Sequence, residues 1–185
     1  MIRKIPFDPR RIGSLALWLD AADATSAGAW PDRSGYQRHA MQAATNSQPA
    51  LSGTINGRPA LSFDGINDNL AVPPIPMVSC GIVAVCQPSA SSRTLAFIAA
   101  NGSPSFFVPS GDASLAAFVQ GNGGAVQSPG AEPSWVDCRI GAAWSSGSLN
   151  SFFQGLIGEV LVYSTALTYQ QTTRVIDYLK QKWAL

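Results

Sequence analysis

The residues best suited to acid–base chemistry are few, and their arrangement matches no catalytic pattern. The sequence contains two glutamates, Glu132 and Glu159, and one histidine, His39. Hydrolysis of a glycosidic bond needs two carboxyl groups that flank it, about 5 to 9 Å apart. A nucleophile–base pair needs a partner for the histidine, and no signature around His39 supplies one. Glu159 lies on an apolar stretch, so we expect its carboxylate to bond to the backbone or to an arginine inside the fold.

Aspartates in predicted loops offer a second chemistry, the binding of a metal ion. Calcium takes about six to eight oxygen ligands, and the candidates are Asp20, Asp32, Asp64 and Asp68. Their spacing matches no regular calcium loop such as Asp-x-Asp-x-Asp-Gly. We favour the simpler interpretation, in which Asp32 and Asp64 bond to backbone amides of their own turns. We expect no cofactor, and calcium is the alternative that these aspartates leave open.

Three tryptophans are candidates for binding a sugar by ring stacking. Trp30, Trp135 and Trp144 fall on predicted loops or strand edges, where an indole is able to form a platform. Tryptophans in β proteins are more often part of the core, which is what we predict for Trp18 and Trp183. For the other three, the sequence leaves both alternatives open.

The first 13 residues form a basic arm. Pro6 and Pro9 prevent a regular helix there, and the basic residues are Arg3, Lys4, Arg10 and Arg11. Such an arm either docks on a neighbouring molecule or lies on its own domain.

Composition narrows the range of partners. The formal net charge of the 185 residues is +1, which favours neither nucleic acid nor a membrane as the main partner. Charged residues make up 12%, roughly half of the usual ~25%. This low charge fits a surface covered in an assembly or, equally, a β protein coated with small polar residues. No apolar run reaches the length of a membrane span, and no signal peptide is recognised.

The three cysteines are predicted to be reduced and buried. Cys80 and Cys86 lie at the two ends of one apparent strand, roughly 20 Å apart, which is too far for a disulfide. Cys138 leaves the number odd. These observations predict a protein that folds in a cytoplasm.

The main elements that must position these residues are a buried strand and an amphipathic helix. The strand is predicted at Leu156–Tyr163, because it is rich in β-branched and large apolar residues. Its alternation places Ile157, Leu161 and Tyr163 on one face with Glu159, and Val160 and Val162 on the other. Both faces are therefore expected to be covered.

The helix is predicted over residues 168–183. Thr168 followed by Gln171 fits a capping box, and an apolar stripe follows at helical spacing: Val175, Ile176, Leu179 and Trp183. Arg174, Lys180 and Lys182 are expected to face away or to lie near the C-terminal end, where cations suit the helix dipole.

Short strands separated by turns account for the remaining sequence. Strands are predicted at Leu15–Leu19, His39–Ala43, Pro59–Asp64, Leu70–Val72, Cys80–Cys86, Thr94–Ala99, Phe106–Val108, Leu115–Val119 and Trp135–Ile140, with a tight turn at Asn56–Gly57. The pattern predicts one domain over residues 14–185, an all-β antiparallel two-sheet sandwich with one C-terminal α-helix. Charges are sparse between residues 91 and 153, which makes this part the best candidate for a covered surface.

Two blocks of sequence resemble a known family. They comprise Leu17–Ala21, Trp30–Gly35 and Gly57–Gly65 near the start, and Phe153–Tyr163, Ala166–Thr168 and Tyr178–Trp183 near the end. Together they resemble concanavalin A-like, laminin-G-like jelly-roll domains of phage virion and bacterial surface proteins. The resemblance implies a jelly roll of two curved sheets. Glucan-hydrolysing members of this fold carry a Glu-x-Asp-x-x-Glu run on one strand, and this sequence has no such run.

The resemblance and the composition lead to two functional hypotheses. The first is a non-enzymatic structural module of a bacteriophage particle, either a capsid decoration or cement protein or a tail or baseplate component. It would be made in the host cytoplasm and would contact other virion proteins and copies of itself. The second is a carbohydrate-binding module or adhesin that recognises host glycans. An enzyme acting through Glu159 is the third and least favoured hypothesis.

Overall fold

The computed structural model describes residues 7–76, 81–89, 116–117, 134–135, 138–145, 148–150 and 152–185. Within these residues the chain forms short strands, one α-helix and three single 3-10 turns. The strands are β1 (Leu15–Asp20), β2 (Ala29–Trp30), β3 (Ala40–Met41), β4 (Ala50–Ile55), β5 (Arg58–Asp64), β6 (Leu70–Val72), β7 (Ile75–Pro76), β8 (Gly81–Pro88), β9 (Ala116–Ala117), β10 (Ser134–Trp135), β11 (Cys138–Ile140), β12 (Ala143–Ser145), β13 (Ser148–Asn150) and β14 (Gln154–Tyr163). The helix is α1 (Tyr169–Trp183), and the 3-10 turns are Pro9–Arg11, Ala21–Asp23 and Thr45–Ser47.

Strand β14 lies at the centre of the larger sheet, which we call the central sheet. The order of this sheet is β4-β5-β14-β8-β9, and β1 also pairs with β14. Along one edge of β14, its first half pairs with β5 and its second half with β1, while β8 covers the other edge. All these pairings are antiparallel. Both edges of β14 are therefore hydrogen-bonded, which places this strand inside the sheet.

A second, four-stranded sheet packs against one face of the central sheet. Its order is β11-β6-β3-β2, and we call it the outer sheet. Two small pairs, β7 with β10 and β12 with β13, complete the described strands. Buried side chains from both sheets meet in one cluster, the sandwich core, which includes Leu17, Trp30, Phe63, Leu70 and Val160.

Helix α1 covers the opposite face of the central sheet. Val175, Leu179 and Trp183 are buried against Trp18, Val83 and Leu161 of the sheet, in a second cluster that we call the helix layer. The helix begins at a capping box formed by Thr168 and Gln171, as predicted. Four-residue spacing brings the three buried helix residues onto one face, and their burial against a sheet stabilises a helix that would be marginal alone. The molecule therefore has three layers.

The predicted orientation of one side chain on β14 is wrong. The pairing of β14 with β8 shifts register between Ile157 and Glu159. This β-bulge adds one residue and reverses the alternation before it. Ile157 consequently points into the sandwich core with Val160 and Val162, while Glu159, Leu161 and Tyr163 face the helix.

The other predicted strands up to Cys86 are confirmed, with ends shifted by a few residues. The predicted strand Trp135–Ile140 is instead represented by two strands, β10 and β11, which pair in different sheets. The tight turn at Asn56–Gly57 joins β4 to β5, and both residues have positive φ, 48° and 78°, as a type I′ hairpin requires. The expected strands at Thr94–Ala99 and Phe106–Val108, and most of Leu115–Val119, lie outside the described residues.

Two of the predicted buried cysteines are seen. Cys86 on β8 and Cys138 on β11 are both buried thiols in the sandwich core. Burial raises the pKa of Cys86 to about 12, which keeps the thiol protonated. Cys80 lies outside the described residues. No helix in the described part of the chain has the length and apolar character that a membrane span needs.

Candidate functional site

Glu159 is the strongest candidate for chemistry and proves to be fully buried between β14 and α1. Its Oε1 accepts hydrogen bonds from the indole Nε1 of Trp18 at 2.7 Å and from the hydroxyl of Tyr178 at 3.0 Å. Its Oε2 accepts from the indole Nε1 of Trp183 at 2.7 Å and pairs with Lys182 Nζ at 2.7 Å. A carboxylate has about four acceptor positions, so these four donors leave no position for a substrate or a catalytic water.

A second buried carboxylate lies beside Glu159. Asp20 of β1 is directly opposite Glu159 in the pairing of β1 with β14 and is only 2% exposed. Lys182 Nζ lies 2.6 Å from Asp20 Oδ2 and therefore bridges the two carboxylates. Arg33 donates to the same oxygen at 2.5 Å, and it also binds Asp23 through its NH2 at 2.6 Å. We call Glu159, Asp20, Lys182, Arg33 and Asp23 the carboxylate cluster.

The backbone at Gly158 allows the helix to approach this cluster. A Cβ atom at position 158 would lie 2.4 Å from the ring of Trp183. Only glycine permits such close contact. The absence of a side chain leaves room beside β14 for the Trp183 ring, whose Nε1 donates to Glu159. The β-bulge at the same place turns the Glu159 side chain toward the helix.

The pKa shifts of Tyr178, which lies beside the cluster, and of Arg33 fit a structural role. Burial raises the pKa of Tyr178, and the charge of Glu159 raises it further, so the hydroxyl remains a donor. Desolvation opposes the charge of Arg33, but its bond to Asp23 and the charges of Asp20 and Asp23 outweigh this and raise its pKa. Every group has a partner of opposite charge or a hydrogen bond, which is how buried charges are tolerated. The predicted partner of Glu159, backbone or arginine, is corrected to two indoles, a phenol and a lysine.

The position of Lys182 follows from the same cluster. Of the two expected positions, facing away or near the C-terminal end, Lys182 takes the second, since it lies in the last turn of α1. Its side chain is only 16% exposed, and its amine lies between Asp20 and Glu159. Lys182 and Tyr178 are four residues apart on α1, and such pairs share a helix face. A polar pair flanking the apolar stripe was the available signal for this site.

The four aspartates considered for calcium lie in separate places. Asp20 belongs to the carboxylate cluster. Asp32 Oδ1 accepts from the amides of Trp18 at 3.0 Å and Ser34 at 2.8 Å, and its Oδ2 from the amide of Arg38 at 3.0 Å. In the described residues, no three His, Cys, Asp or Glu side chains form a group that could hold a metal ion.

The other two aspartates stabilise one turn. Asp64 Oδ1 accepts from the amide of Ile66 at 2.8 Å, and Asp68 Oδ2 accepts from the amide of Asp64 at 2.9 Å. Burial raises the pKa of Asp68, and the nearby charge of Asp64 adds to this effect. These bonds are the turn-stabilising role that the sequence favours for Asp64.

Trp30 is not a stacking platform. It is fully buried in the sandwich core, so its ring is inaccessible to a sugar, and this candidate is corrected. Trp135 and Trp144 lie on β10 and β12, but their side chains fall outside the described residues.

The described part of the basic arm lies on its own domain. Phe7 packs against Tyr178 with ring centroids 6.1 Å apart, and Ile12 is buried in the helix layer. Arg10 pairs with Asp8 at 2.7 Å, which lowers the pKa of Asp8, and stacks over Trp18 at 5.8 Å. Arg11 is exposed, whereas Arg3 and Lys4 lie outside the described residues.

An exposed aromatic site was missed by the sequence analysis. Tyr36 is 58% exposed, and the guanidinium of Arg38 lies 4.4 Å from its ring centroid. Arg38 is held in place because it also donates to the carbonyl of Ala16 at 2.8 Å. Tyr36 borders a shallow depression lined also by Arg10 and Ser34. A tyrosine in a turn carries little sequence signal, because its exposure depends on the fold.

Comparisons with known proteins identify the fold. No protein-family model and no curated protein matches the sequence. Two solved structures do match: a Trypanosoma rangeli sialidase in complex with sialic acid, with a TM-score of 0.56 and 14% identity, and a mutant of that sialidase displaying trans-sialidase activity, with a TM-score of 0.55 and 13% identity. Each match covers 92% of this chain but only 33% of the sialidase chain.

These matches and the sheet topology define the fold. The chain is an all-β, antiparallel two-sheet jelly-roll sandwich of the concanavalin A-like type with one C-terminal helix, as the sequence predicts. It spans about a third of the length of the solved structures that it matches. At this level of identity the likeness concerns the fold, and sialidase activity is a property of those proteins.

Proposed function

We propose that this chain is a non-enzymatic interaction module that acts through protein–protein contacts. The observation that carries the proposal is the saturation of Glu159, whose two oxygens accept from or pair with four protein groups. A catalytic carboxyl group needs access to the reacting atoms and a free acceptor or proton. Glu159 has neither, and Asp20 beside it is also engaged.

The setting that we propose for this module is a bacteriophage particle, as a capsid decoration or cement protein or as a tail or baseplate component. The support comes from the sequence: its blocks resemble jelly-roll domains of virion proteins, and its charged fraction is only 12%. Surfaces covered in an assembly are depleted of charge. A structural role also fits the buried carboxylates Glu159 and Asp20, which bond to groups of the helix and of the loop after β1.

The proposal is tested by activity and by genomic position. The purified protein is incubated with a panel of polysaccharides and sialylated oligosaccharides, with heat-denatured protein as the control. We expect no release of reducing sugar or sialic acid. Sequencing the DNA that flanks the gene should reveal capsid, tail or terminase genes. Hydrolysis above the control, or a gene set for polysaccharide degradation, would contradict the proposal.

Glycan binding without hydrolysis is the second candidate, and the exposed Tyr36–Arg38 pair favours it. An aromatic ring beside arginine side chains suits a sugar, because the ring stacks on apolar C–H groups while guanidinium groups donate hydrogen bonds. One solved structure with this fold contains sialic acid, although that ligand belongs to the sialidase. A glycan array tests this candidate. A signal that is lost in Tyr36→Ala but retained in Tyr169→Ala would favour it. Tyr169 is the control because it is also an exposed tyrosine, 86% exposed, and lies on α1.

A further inference from the structure

The tight turn between β4 and β5 contains a chemically labile pair of residues. Asn56 is followed by Gly57, and both residues are exposed. The backbone nitrogen of Gly57 is not shielded by a side chain of its own residue. In the described part of the chain, apart from adjacent residues, no atom lies within 4 Å of the place that a Cβ at position 57 would occupy. Water and base therefore reach the peptide bond between the two residues.

An Asn-Gly pair has a defined route to covalent change. The nitrogen of the glycine loses its proton to base and forms a bond to Cγ of the asparagine. The Cγ–Nδ2 bond then breaks, and ammonia leaves after taking a proton from solvent. Water adds to either carbonyl carbon of the resulting cyclic imide and opens the ring, which leaves aspartate or isoaspartate. The net reaction converts an amide and water into an acid and ammonia, so it needs no oxidant or reductant.

The amide that this reaction would remove has a structural role here. Asn56 Nδ2 donates to the carbonyl oxygen of Trp183 at 2.9 Å and to that of Ala184 at 3.1 Å. Both carbonyls lie at the C-terminal end of α1, where helix carbonyls have no partner within the helix. The group that would leave as ammonia is therefore the one that ties the β4–β5 turn to the end of the helix.

The folded geometry opposes ring closure as long as the helix end is docked. Asn56 and Gly57 have φ of 48° and 78°, the conformation of a type I′ turn. The imide ring includes Cα and the carbonyl carbon of residue 56, so its closure fixes ψ there at a value outside this turn. The two hydrogen bonds to α1 also hold the side chain in one orientation. Reaction therefore requires local opening of the turn and of its contact with the helix.

We propose that Asn56 is a site of spontaneous deamidation, which the docked end of α1 slows and whose product releases that end. Aspartate at this position has only acceptors and faces carbonyl oxygens at the negative end of the helix dipole. Isoaspartate adds a methylene group to the backbone of a turn built for two residues. Either product loses the bonds to α1, and the inference is independent of the proposed function.

The first test measures the rate of conversion at Asn56. The unaltered protein is incubated at mildly alkaline pH, once folded and once in guanidinium chloride, and fragmentation in a mass spectrometer assigns the modified residue. Assignment is needed because the sequence has further Asn-Gly pairs at residues 101–102 and 122–123, outside the described residues. We expect conversion to be slower in the folded protein by about tenfold or more, since local opening must come first. Equal rates would overturn the proposal.

Two variants alter the helix end in opposite directions. Ala184 has a positive φ of 53°, so Ala184→Gly should stabilise this end and slow conversion by about threefold or more. Gly158→Ala crowds the Trp183 ring and should speed conversion by about tenfold. Val72→Ala in the sandwich core is the matched control, and an equal rise there would show that global unfolding governs the rate. If Gly158→Ala does not fold, an unchanged rate in Ala184→Gly alone would overturn the proposal.

The second test examines the product. The converted protein carries one more negative charge and can be separated by ion-exchange chromatography. Hydrogen exchange in the last turn of α1 should be about tenfold faster in it than in the unconverted protein, and Asn56→Asp should reproduce the change. Exchange that stays the same in both would refute the release of the helix end. Neither test depends on sugar hydrolysis or on neighbouring genes, which decide the proposed function separately.

Discussion

The two faces of the central sheet are held to their neighbours by different physical means. Toward the outer sheet, the contact described by the structure is a cluster of apolar side chains. Toward the helix, the contact combines apolar residues with the carboxylate cluster, in which Glu159 and Asp20 are both buried. The tryptophans show the contrast. Among the described residues, Trp30 Nε1 in the sandwich core has no hydrogen-bond partner, while Trp18 and Trp183 both donate to Glu159.

The two contacts differ in how tightly they fix the position of the neighbouring layer. Apolar packing between two broad sheets depends mainly on volume and tolerates small shifts. One helix on a sheet has a narrow apolar stripe and could slide along it. Hydrogen bonds from Trp183, Tyr178 and Lys182 to a single carboxylate fix the position of the helix along and around its axis. Buried polar networks of this kind can specify a unique arrangement, and the following predictions test that division of roles.

Replacing Glu159 should have the largest effect. Glu159→Leu leaves two indole donors and Lys182 without their shared acceptor. Loss of one partner of a buried ion pair destabilises a protein by about 3 to 5 kcal/mol. We expect this loss in the free energy of unfolding, measured with urea. Glu159→Gln keeps one acceptor oxygen and should lose less. A loss below about 1 kcal/mol for Glu159→Leu would show that packing alone holds the helix.

A methyl group at Gly158 should separate the helix from the sheet. The Cβ of Gly158→Ala would overlap the Trp183 ring, which is held by its bond to Glu159. Overpacking costs about 1 to 3 kcal/mol. The same substitution in a Trp183→Leu background should cost much less, because the ring is gone. Equal costs in both backgrounds, measured by denaturant unfolding, would exclude this contact as the cause.

Alkaline pH should weaken the sandwich core through Cys86. Burial raises the pKa of this thiol from 9.0 to about 12. The unfolded chain releases the thiol proton at a lower pH than the folded protein does. The contribution of the buried thiol to the free energy of unfolding is therefore fully present below about pH 9. It is lost as the pH rises toward 12, by about 1.4 kcal/mol per unit. Between pH 9 and pH 10, the midpoint temperature of thermal unfolding should fall less steeply in Cys86→Ala than in the unaltered protein. An unchanged slope would show that Cys86 does not carry this dependence.

The smallest effect is expected at the far end of the helix. Asn56 Nδ2 donates to the carbonyls of Trp183 at 2.9 Å and Ala184 at 3.1 Å. Asn56→Gly keeps the positive φ of the turn but removes this donor, at a cost of about 0.5 to 1.5 kcal/mol. Hydrogen exchange of the last helical turn should accelerate. Asn56→Asp, which turns the donor into an acceptor facing the carbonyls, should have a larger effect. Unaltered hydrogen exchange in both variants would show that Asn56 does not stabilise the last turn of the helix.

Local sequence signals predicted the elements but not their polar contacts. The β-branched run of β14 and the Thr168–Gln171 capping box depend on neighbours in sequence, and both were found. The bond between Trp18 and Glu159 joins residues 141 positions apart, and no periodicity encodes such a pairing. The bulge beside Gly158 added one residue to the alternation and moved Ile157 to the other face.

The candidate site was predicted only in outline. Glu159 was singled out because a charge on an apolar strand needs a partner, and it has four. The partners themselves depend on how the helix lies across β1 and β14, which follows from three-dimensional packing. Exposure was equally hard to foresee: Trp30 proved to be buried and Tyr36 exposed, although both lie between short strands and turns.

The position of β14 in the chain has a consequence for synthesis. Its three partners, β1, β5 and β8, all precede it, and each pairs with β14 in the finished sheet. While the ribosome is still adding residues before Gln154, those strands lack the element that joins them. Their apolar faces and open edges are then available to other chains, which favours aggregation of incomplete products. Rapid completion of translation, or a chaperone that shields the nascent chain, should therefore raise the yield of folded protein.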